Sequence, residues 1–446
     1  MAKRETHAAR RQRLLAEAAR VEQPSDCDVT VIGGGAAGLV AAIAAAEDGA
    51  SVVVIERDLE CGRSILATGN GRCNFANEQL DLERYNDPAF VGAVCGPRFL
   101  DDVLDFFRDS GLRWCSEDGR LYPASRQAAS VRNVLLARAR RAGVVLAPAR
   151  EFCDVTWIRP EWIGSSDHTM AYTPETSSTL PEGIAELSHT MPGGGPMLLP
   201  GSRAVVLASG GEPLPFIANL GLRLSARTPV LCPVACEPSP VFALDGRRAH
   251  VEANLTKKGG ERPVWSERGE VLFRSYGISG IVTFDLSRRV AKGDLIELDL
   301  APDIEADELM TLVDPLGIGD FEAGRLDGVI DPDIALILER LAREGWEAGW
   351  PGRVAPARRA DALVRLVKAL PLVVEGLAET DRAQVMRGGL ANDQFDPVTL
   401  ASVNHPWLYA CGEALDVDAD CGGFNLAWAW KSGMVAGRAA ARWARS

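Results

Sequence analysis

The stretch Asp28-Val29-Thr30-Val31-Ile32-Gly33-Gly34-Gly35-Ala36-Ala37-Gly38 decides how this chain is read. A short β-branched run has the composition of a buried parallel strand, and it passes straight into glycines. Leu39 to Asp48 is Ala-rich and helical, and Gly49 is placed to stop it. Ser51-Val52-Val53-Val54-Ile55 is a second buried strand ending at Glu56. Residues 28–57 therefore form one strand–turn–helix–strand element. Within it, Gly33-x-Gly35-x-x-Gly38 is the dinucleotide pattern, and its position between strand and helix makes it specific. Gly33 allows the tight turn, Gly35 lets a pyrophosphate approach the backbone, and Gly38 lets helix and strand pack closely. The N–H groups at the helix start, around Ala36 and Ala37, hold the anion. Glu56 is placed to bond a ribose diol, and its charge disfavours a 2′-phosphate there.

This turn alone does not choose between NAD and FAD. The next segment points to the flavin dinucleotide. Arg57, Gly62, Arg63 and Ser64 lead into Gly69, Gly71, Arg72 and Asn74, a Gly/Arg/Asn-rich run suited to wrapping a pyrophosphate and an isoalloxazine. Phe152, in a short apolar run, joins the expected cofactor contacts. Near the other end, Gly412-Glu413-Ala414-Leu415-Asp416 follows the strand Trp407–Ala410. Gly422-Gly423-Phe424-Asn425-Leu426 then opens a last helix, to about Arg442. A second helix start from the far end of the chain suits the flavin end of FAD, and NAD does not require it.

Composition limits the alternatives. The 446 residues are 47% apolar and 24% charged, as in ordinary soluble domains, and more than one domain is expected. Lys plus Arg is 48 and Asp plus Glu is 61, giving 48 − 61 = −13. That balance disfavours nucleic acid and anionic membrane as partners. The ten cysteines include no CxxC, and Cys232 and Cys236 lack companions for a zinc site, so reduced thiols and no metal are expected. Residues 1–26 read as a polar arm with a short helix before Pro24. Arg10-Arg11 is not followed by the apolar stretch of a twin-arginine signal, so a cytoplasmic location is expected.

Further along, 99–111 and 130–143 read as helices, and 144–146, 152–157 and 204–208 as strands. The Pro-, Gly-, Ser- and Thr-rich residues 159–202 read as an irregular insertion. Residues 228–300 suggest a β-rich domain, and 303–370 show helical periodicity.

Several blocks together resemble one family. They are VIGGGAAG (31–38), GNGRCN (69–74), GRLYPASRQAASV (119–131), GEVLFRSYGISG (269–280), RGGL (387–390) and the 412–437 block beginning GEALDVD. In this order they are similar to the BaiN/YhiN-type flavoproteins, also called aminoacetone oxidase-like FAD-binding enzymes. The resemblance implies an α/β fold: a two-piece Rossmann-like FAD-binding domain (27–222 and 397–446) with inserted domains. These are a β-rich substrate domain (223–302 and 371–396) and a helical domain (303–370). Two departures bear on substrate specificity more than on flavin binding. Glu212-Pro213-Leu214-Pro215-Phe216 replaces a glycine- and serine-rich stretch, and the 159–202 insertion is longer than the family pattern.

The expected activity is FAD-dependent hydride transfer between flavin N5 and a small organic substrate. A reductase of a conjugated or carbonyl compound is favoured, because no residue pair announces amine oxidation. An oxygen-using oxidase of a small amine and a non-catalytic flavin-binding protein are the alternatives. No second glycine fingerprint provides a resident NAD(P)H domain, so NAD(P)H or another reductant is expected to dock transiently. Tyr276 is the candidate proton donor, against the plainer reading of a strand tyrosine bonded to backbone. It is expected in a substrate pocket between the flavin and the β-rich insertion. Arg72 is read as a phosphate partner or pocket wall, and Cys73 as packing.

Overall fold

The computed structural model describes residues 5–22, 24, 26–158, 184–192, 194–198, 201–211, 215–344 and 358–446. They divide into two units, one from residues up to 228 together with 386–446, the other from 229–385.

The first unit is built on the strand Asp26–Ile32. Val52–Ile55 and Gly201–Leu207 flank it in parallel, in the registers Val31↔Val54 and Val31↔Val206. Val145–Ala147 continues the sheet beyond Val52–Ile55, and Leu408–Ala410 pairs in parallel with Gly201–Leu207. Val52–Ile55 is apolar throughout, and Asp26–Ile32 and Gly201–Leu207 turn apolar and buried toward their carboxyl ends, at Val29, Val31 and Ile32 and at Ala204 to Leu207, as burial on two faces requires. Helix Ala36–Glu47 starts directly after Gly35, three residues earlier than the Ala-rich pattern suggests, and Ala37 to Ala45 are all buried. The final helix Phe424–Ala444 lies against it. A Cβ on Gly433 would stand 2.6 Å from Ala37 O, and one on Gly437 2.1 Å from Ala41 O. The two helices thus meet backbone to backbone, and only small residues permit that spacing.

The insertion expected to be irregular is partly sheet. Ile184–Thr190 pairs antiparallel with Glu151–Ile158, and Pro196–Leu198 adds to its other side. Ala185, Leu187 and His189 provide a period-two pattern of burial beneath the Pro/Gly composition, and that pattern prevails over the breakers around it. Residues 159–183 lie outside the described residues.

The second unit is a closed antiparallel barrel of six strands, in the order Val234–Cys236, Gly277–Ser279, Trp265–Arg274, Arg248–Thr256, Leu295–Asp299 and Leu370–Leu377. Helices Ala306–Val313, Pro332–Glu344 and Arg359–Lys368 share one core with it, through Leu309, Leu338 and Leu363 beside Leu298 and Leu370. The expected separate helical domain is therefore corrected. These helices bury their apolar faces on the barrel rather than on each other alone. The outer boundaries shift as well. Residues 223–228 and 386–396, expected with the β-rich domain, belong to the first unit. Arg223 N–H donates to Gln394 Oε1 at 2.7 Å, Leu390 N–H donates to Ala414 O at 2.8 Å, and Leu390 and Phe395 are buried in the first core.

Candidate functional site

The carboxyl ends of the parallel strands carry the glycine turns, where ligands of doubly wound sheets lie. Gly33 has φ +103°, and a Cβ there would stand 2.3 Å from Ala208 O at the end of the neighbouring strand. A Cβ on Gly38 would fall 1.9 Å from Gly33 O, so the close packing of helix and turn excludes any side chain. Gly35 differs. Its Cβ would meet only Ser64 Oγ within 4 Å, at 3.3 Å, so its surface is open to something other than protein. Gly35 caps the helix without a side-chain acceptor, and first-turn N–H groups have no intrahelical partner. Ala36 and Ala37 supply the start of that turn.

Glu56 closes the turn from the second strand. Its Oε2 accepts Gly34 N–H at 2.6 Å and its Oε1 accepts Asp58 N–H at 2.7 Å. Burial pushes its carboxyl up, and these two N–H bonds oppose the shift. A carboxylate has about four acceptor sites, so capacity remains after two bonds. Gly62 N–H donates to Gly34 O at 2.7 Å, which ties the following loop to the turn. Arg57 follows Glu56 at the strand end. Arg63 is exposed and reaches Asp58 at 3.3 Å.

The 69–74 loop holds Gly69, Asn70, Gly71 and Cys73 at positive φ. Arg72 leaves it toward Glu117, at 2.5 Å, with its guanidinium 4.4 Å from the Tyr122 ring centroid. Arg72 is therefore engaged by protein rather than left as a free cation. Cys73 is buried, and burial pushes its thiol up to about 11, which suits packing and opposes thiolate chemistry. Asn74 Oδ1 is buried with no hydrogen-bond partner among the described residues.

The C-terminal block reaches the same place. A Cβ on Gly412 would stand 2.7 Å from Ala37 Cβ, so this loop lies on the start of the glycine-turn helix. Its N–H donates to Ser432 Oγ at 2.9 Å and its carbonyl accepts from Trp428 Nε1 at 3.1 Å. Gly423, with φ +97°, opens the last helix where a Cβ would crowd Ala76 O at 2.4 Å and Asn74 Oδ1 at 2.8 Å. Asn77 Nδ2 donates to Gly422 O. The two ends of the chain are thus interlocked residue by residue. Glu413 is half-buried. Desolvation pushes its carboxyl up to about 7, Arg227 pulls it down and Asp418 pushes it up. Asp416 is bound by Gly388 N–H and Asn86 Nδ2. Asn425, expected to contact cofactor, uses its amide to bracket the Ala419 backbone, accepting its N–H and donating to its carbonyl at 2.8 Å each. These bonds shape the 419–425 loop. Phe424 is buried and accepts Tyr85 Oη at its carbonyl, while Leu426 and Phe152 pack on the core.

Tyr276 lies in the second unit. Its hydroxyl donates to Glu379 Oε1 at 2.7 Å rather than to backbone, and Arg274 stands 5.5 Å from its ring centroid. Burial, then the bond to Glu379, pushes the phenol up to about 12. Glu379 itself has φ +47°, an uncommon conformation for a residue with a side chain.

Sequence reasoning missed several residues that build the site. Gly433-x-x-x-Gly437 is a visible small-residue spacing that marks the close helix pair. Ser432 and Trp428, one turn earlier, hold Gly412. Arg387 makes two bonds of 3.0 Å to the fully buried Asp418, and only the fold brings that pair together. Among the described residues no three His, Cys, Asp or Glu side chains cluster as metal ligands, and no helix is long and apolar enough to cross a membrane.

A family model described as HI0933-like protein Rossmann domain matches residues 27–180 and 187–439. The chain is 34% identical over 430 residues to the 3-dehydro-bile acid delta(4,6)-reductase of Clostridium scindens, covering 93% of this chain and 98% of that protein. It is 24% identical over 413 residues to the ribosomal RNA dihydrouridine synthase of Escherichia coli, covering 91% and 96%. Among solved structures, the 3-ketosteroid-delta4-(5alpha)-dehydrogenase of Rhodococcus jostii RHA1 aligns with a TM-score of 0.46 at 16% identity, covering 95% of this chain and 98% of that one. With the family model spanning nearly its whole length, the chain belongs to the HI0933-like Rossmann family and is an oxidoreductase of flavoprotein type.

Proposed function

We propose that the chain binds FAD along the glycine turns of its first unit and reduces a carbon–carbon double bond conjugated to a carbonyl in a small molecule. The observation that carries the reaction is the similarity, along 93% of the chain, to a protein named as a delta(4,6)-reductase of a 3-dehydro-bile acid.

The residues present fit the cofactor. Gly35 offers backbone without a side chain in the way, and the first-turn N–H groups beside it hold a pyrophosphate. Glu56 has acceptor capacity left for a ribose hydroxyl. Asn74 Oδ1, buried and without a partner, is an acceptor for an N–H or O–H of the flavin end. Gly412, Gly422 and Gly423 close that end with backbone. Bound FAD supplies hydride transfer at N5. Glu413, with its carboxyl near 7, holds or releases a proton at neutral pH. Tyr276 remains the proposed proton donor, its hydroxyl oriented by Glu379. NAD(P)H is proposed as a transient electron source.

A second reading is reduction of a uracil ring in RNA. It is favoured by the relatives from Escherichia coli and Haemophilus influenzae, 24% and 23% identical, both named as ribosomal RNA dihydrouridine synthases. Dihydrouridine is uridine with two hydrogens added, so the bond chemistry is of one kind. The net charge of −13 opposes a polyanionic substrate and favours the small molecule.

The test begins with chromatography of the cofactor released on denaturation, where FAD is expected and FMN alone overturns the reading. Anaerobic reduction by NADH, NADPH or dithionite follows. The reduced protein is then offered a 3-oxo-4-ene steroid, ribosomal RNA, or air, and the oxidised protein aminoacetone. Reoxidation by the conjugated ketone supports the proposal. Reoxidation by RNA alone transfers it to the second reading, and reduction by aminoacetone with oxygen turnover makes the protein an amine oxidase.

A further inference from the structure

We infer that the N-terminal helix His7–Ala19 is a clasp that positions the strand end carrying Glu56, and through it the adenosine end of the cofactor; this rests on the FAD reading above. The family model begins at residue 27, so the helix lies outside the matched region. Two arms join it to the turn.

The buried arm is Arg150. Its residue is 5% exposed, and among the described residues no carboxylate pairs with it. Its acceptors are backbone carbonyls: Ala18 at 3.4 Å and Val21 at 3.3 Å from Nη2, and Pro148 at 3.1 Å from Nη1. A guanidinium at the carbonyl end of a helix is favoured by the aligned peptide dipoles. The backbone of the same segment is laced to the strand end. Arg150 N–H donates to Glu56 O and Ala149 N–H to Asp58 O, both at 2.8 Å, and Glu56 N–H donates to Ala147 O at 3.1 Å.

The second arm is at the surface. Arg10 Nη2 stands 2.6 Å from Glu60 Oε2, and Glu60 Oε1 stands 3.3 Å from Arg132 Nη2. Arg132 Nε donates to Cys61 O at 2.8 Å, next to Gly62, whose N–H holds Gly34 O. An exposed pair such as Arg10–Glu60 contributes little alone. The buried arm dominates, because removing the helix takes away two of the guanidinium's acceptors, opens it to water and lets the 147–150 segment relax. Glu56 sits between the arms, with its carboxylate on Gly34 and Asp58. Anything that loosens either flank misplaces that carboxylate.

Coupling of this kind is reciprocal: if the helix tightens cofactor binding, the cofactor tightens the helix by the same factor. The test uses the full chain, a form lacking residues 1–22, and Arg150→Gln. Affinity for FAD and for ADP is measured on flavin-free protein, and tryptic cleavage at Arg10, Arg11 and Arg13 is followed in the intact chain with and without FAD. The clasp predicts that the shortened chain and Arg150→Gln lose FAD and ADP affinity by the same factor, about tenfold. It also predicts that saturating FAD slows cleavage within the helix. Unchanged affinities in a folded shortened chain, or a cleavage rate indifferent to FAD, overturn it. A shortened chain that fails to fold leaves Arg150→Gln and the cleavage rate to decide. An intact chain that binds neither FAD nor ADP overturns the FAD reading, and the clasp with it.

Discussion

Glu413→Gln provides a quantitative check on the site. The Glu413 carboxyl is raised from 4.5 to about 7, chiefly by desolvation. A raised carboxyl binds its proton more tightly in the folded than in the unfolded chain. Its contribution to stability is therefore fully present below pH 4.5 and is lost as pH rises through about 7. The shift is about 2.5 pH units, which at about 1.36 kcal/mol each corresponds to roughly 3 kcal/mol. Glutamine mimics the protonated form at every pH. The variant should match the wild type near pH 4 and exceed it by roughly 3 kcal/mol above pH 8 in the cofactor-free protein. Denaturant titration across this pH range measures the difference. Tryptophan fluorescence suits it, because Trp428 bonds the carbonyl of the adjacent Gly412. The subtraction removes other titrating groups common to both proteins. A stability difference that is flat with pH would refute the reasoning, since it would mean Glu413 is solvated as an ordinary surface carboxylate.

Three further outcomes are expected. Glu56→Ala removes bonds to Gly34 and Asp58 as well as the proposed ribose contact, so FAD affinity by fluorescence titration should fall tenfold or more, about 1.5–3 kcal/mol, with unchanged affinity placing the ribose elsewhere. Gly437→Val puts a Cβ 2.1 Å from Ala41 O and should destabilise the first unit by about 3 kcal/mol or more, read as a lower denaturation midpoint; a neutral result would mean the helices can separate freely. Tyr276→Phe removes one hydroxyl and the bond to Glu379 while FAD stays bound; if Tyr276 is the proton donor, turnover should drop by about a hundredfold or more, and a small drop leaves the hydroxyl as a partner of Glu379 only.

Much of the first unit was legible because its signals are local. A β-branched run, a glycine turn, an Ala-rich helix and a second strand occupy consecutive residues, and the turn is marked by glycines at fixed spacing. The same holds for the strand Leu408–Ala410 and the helix start at Gly423. Composition misled at Ile184–Thr190, where alternation hidden among turn formers pairs with a distant strand. The helices of 303–370 were readable as helices, but not as part of the barrel core, because an apolar helical face does not say which surface will cover it.

Sequence alone thus determined the Rossmann element, the glycine turns at both ends of the chain and the family, since these rest on backbone geometry that particular residue types permit at fixed spacing. Tertiary structure alone decided what each polar side chain does. Nothing near Arg72 or Asn425 in the chain announces that Glu117 and the Ala419 backbone engage them. Glu413, an ordinary glutamate in the sequence, has a carboxyl pushed up to about 7 because folding desolvates it, with Arg227 opposing the rise and Asp418 adding to it. A glycine turn declares itself in the chain because few other residues tolerate its backbone conformation, whereas the partner of a hydrogen bond and the depth of burial depend on neighbours brought in from remote positions.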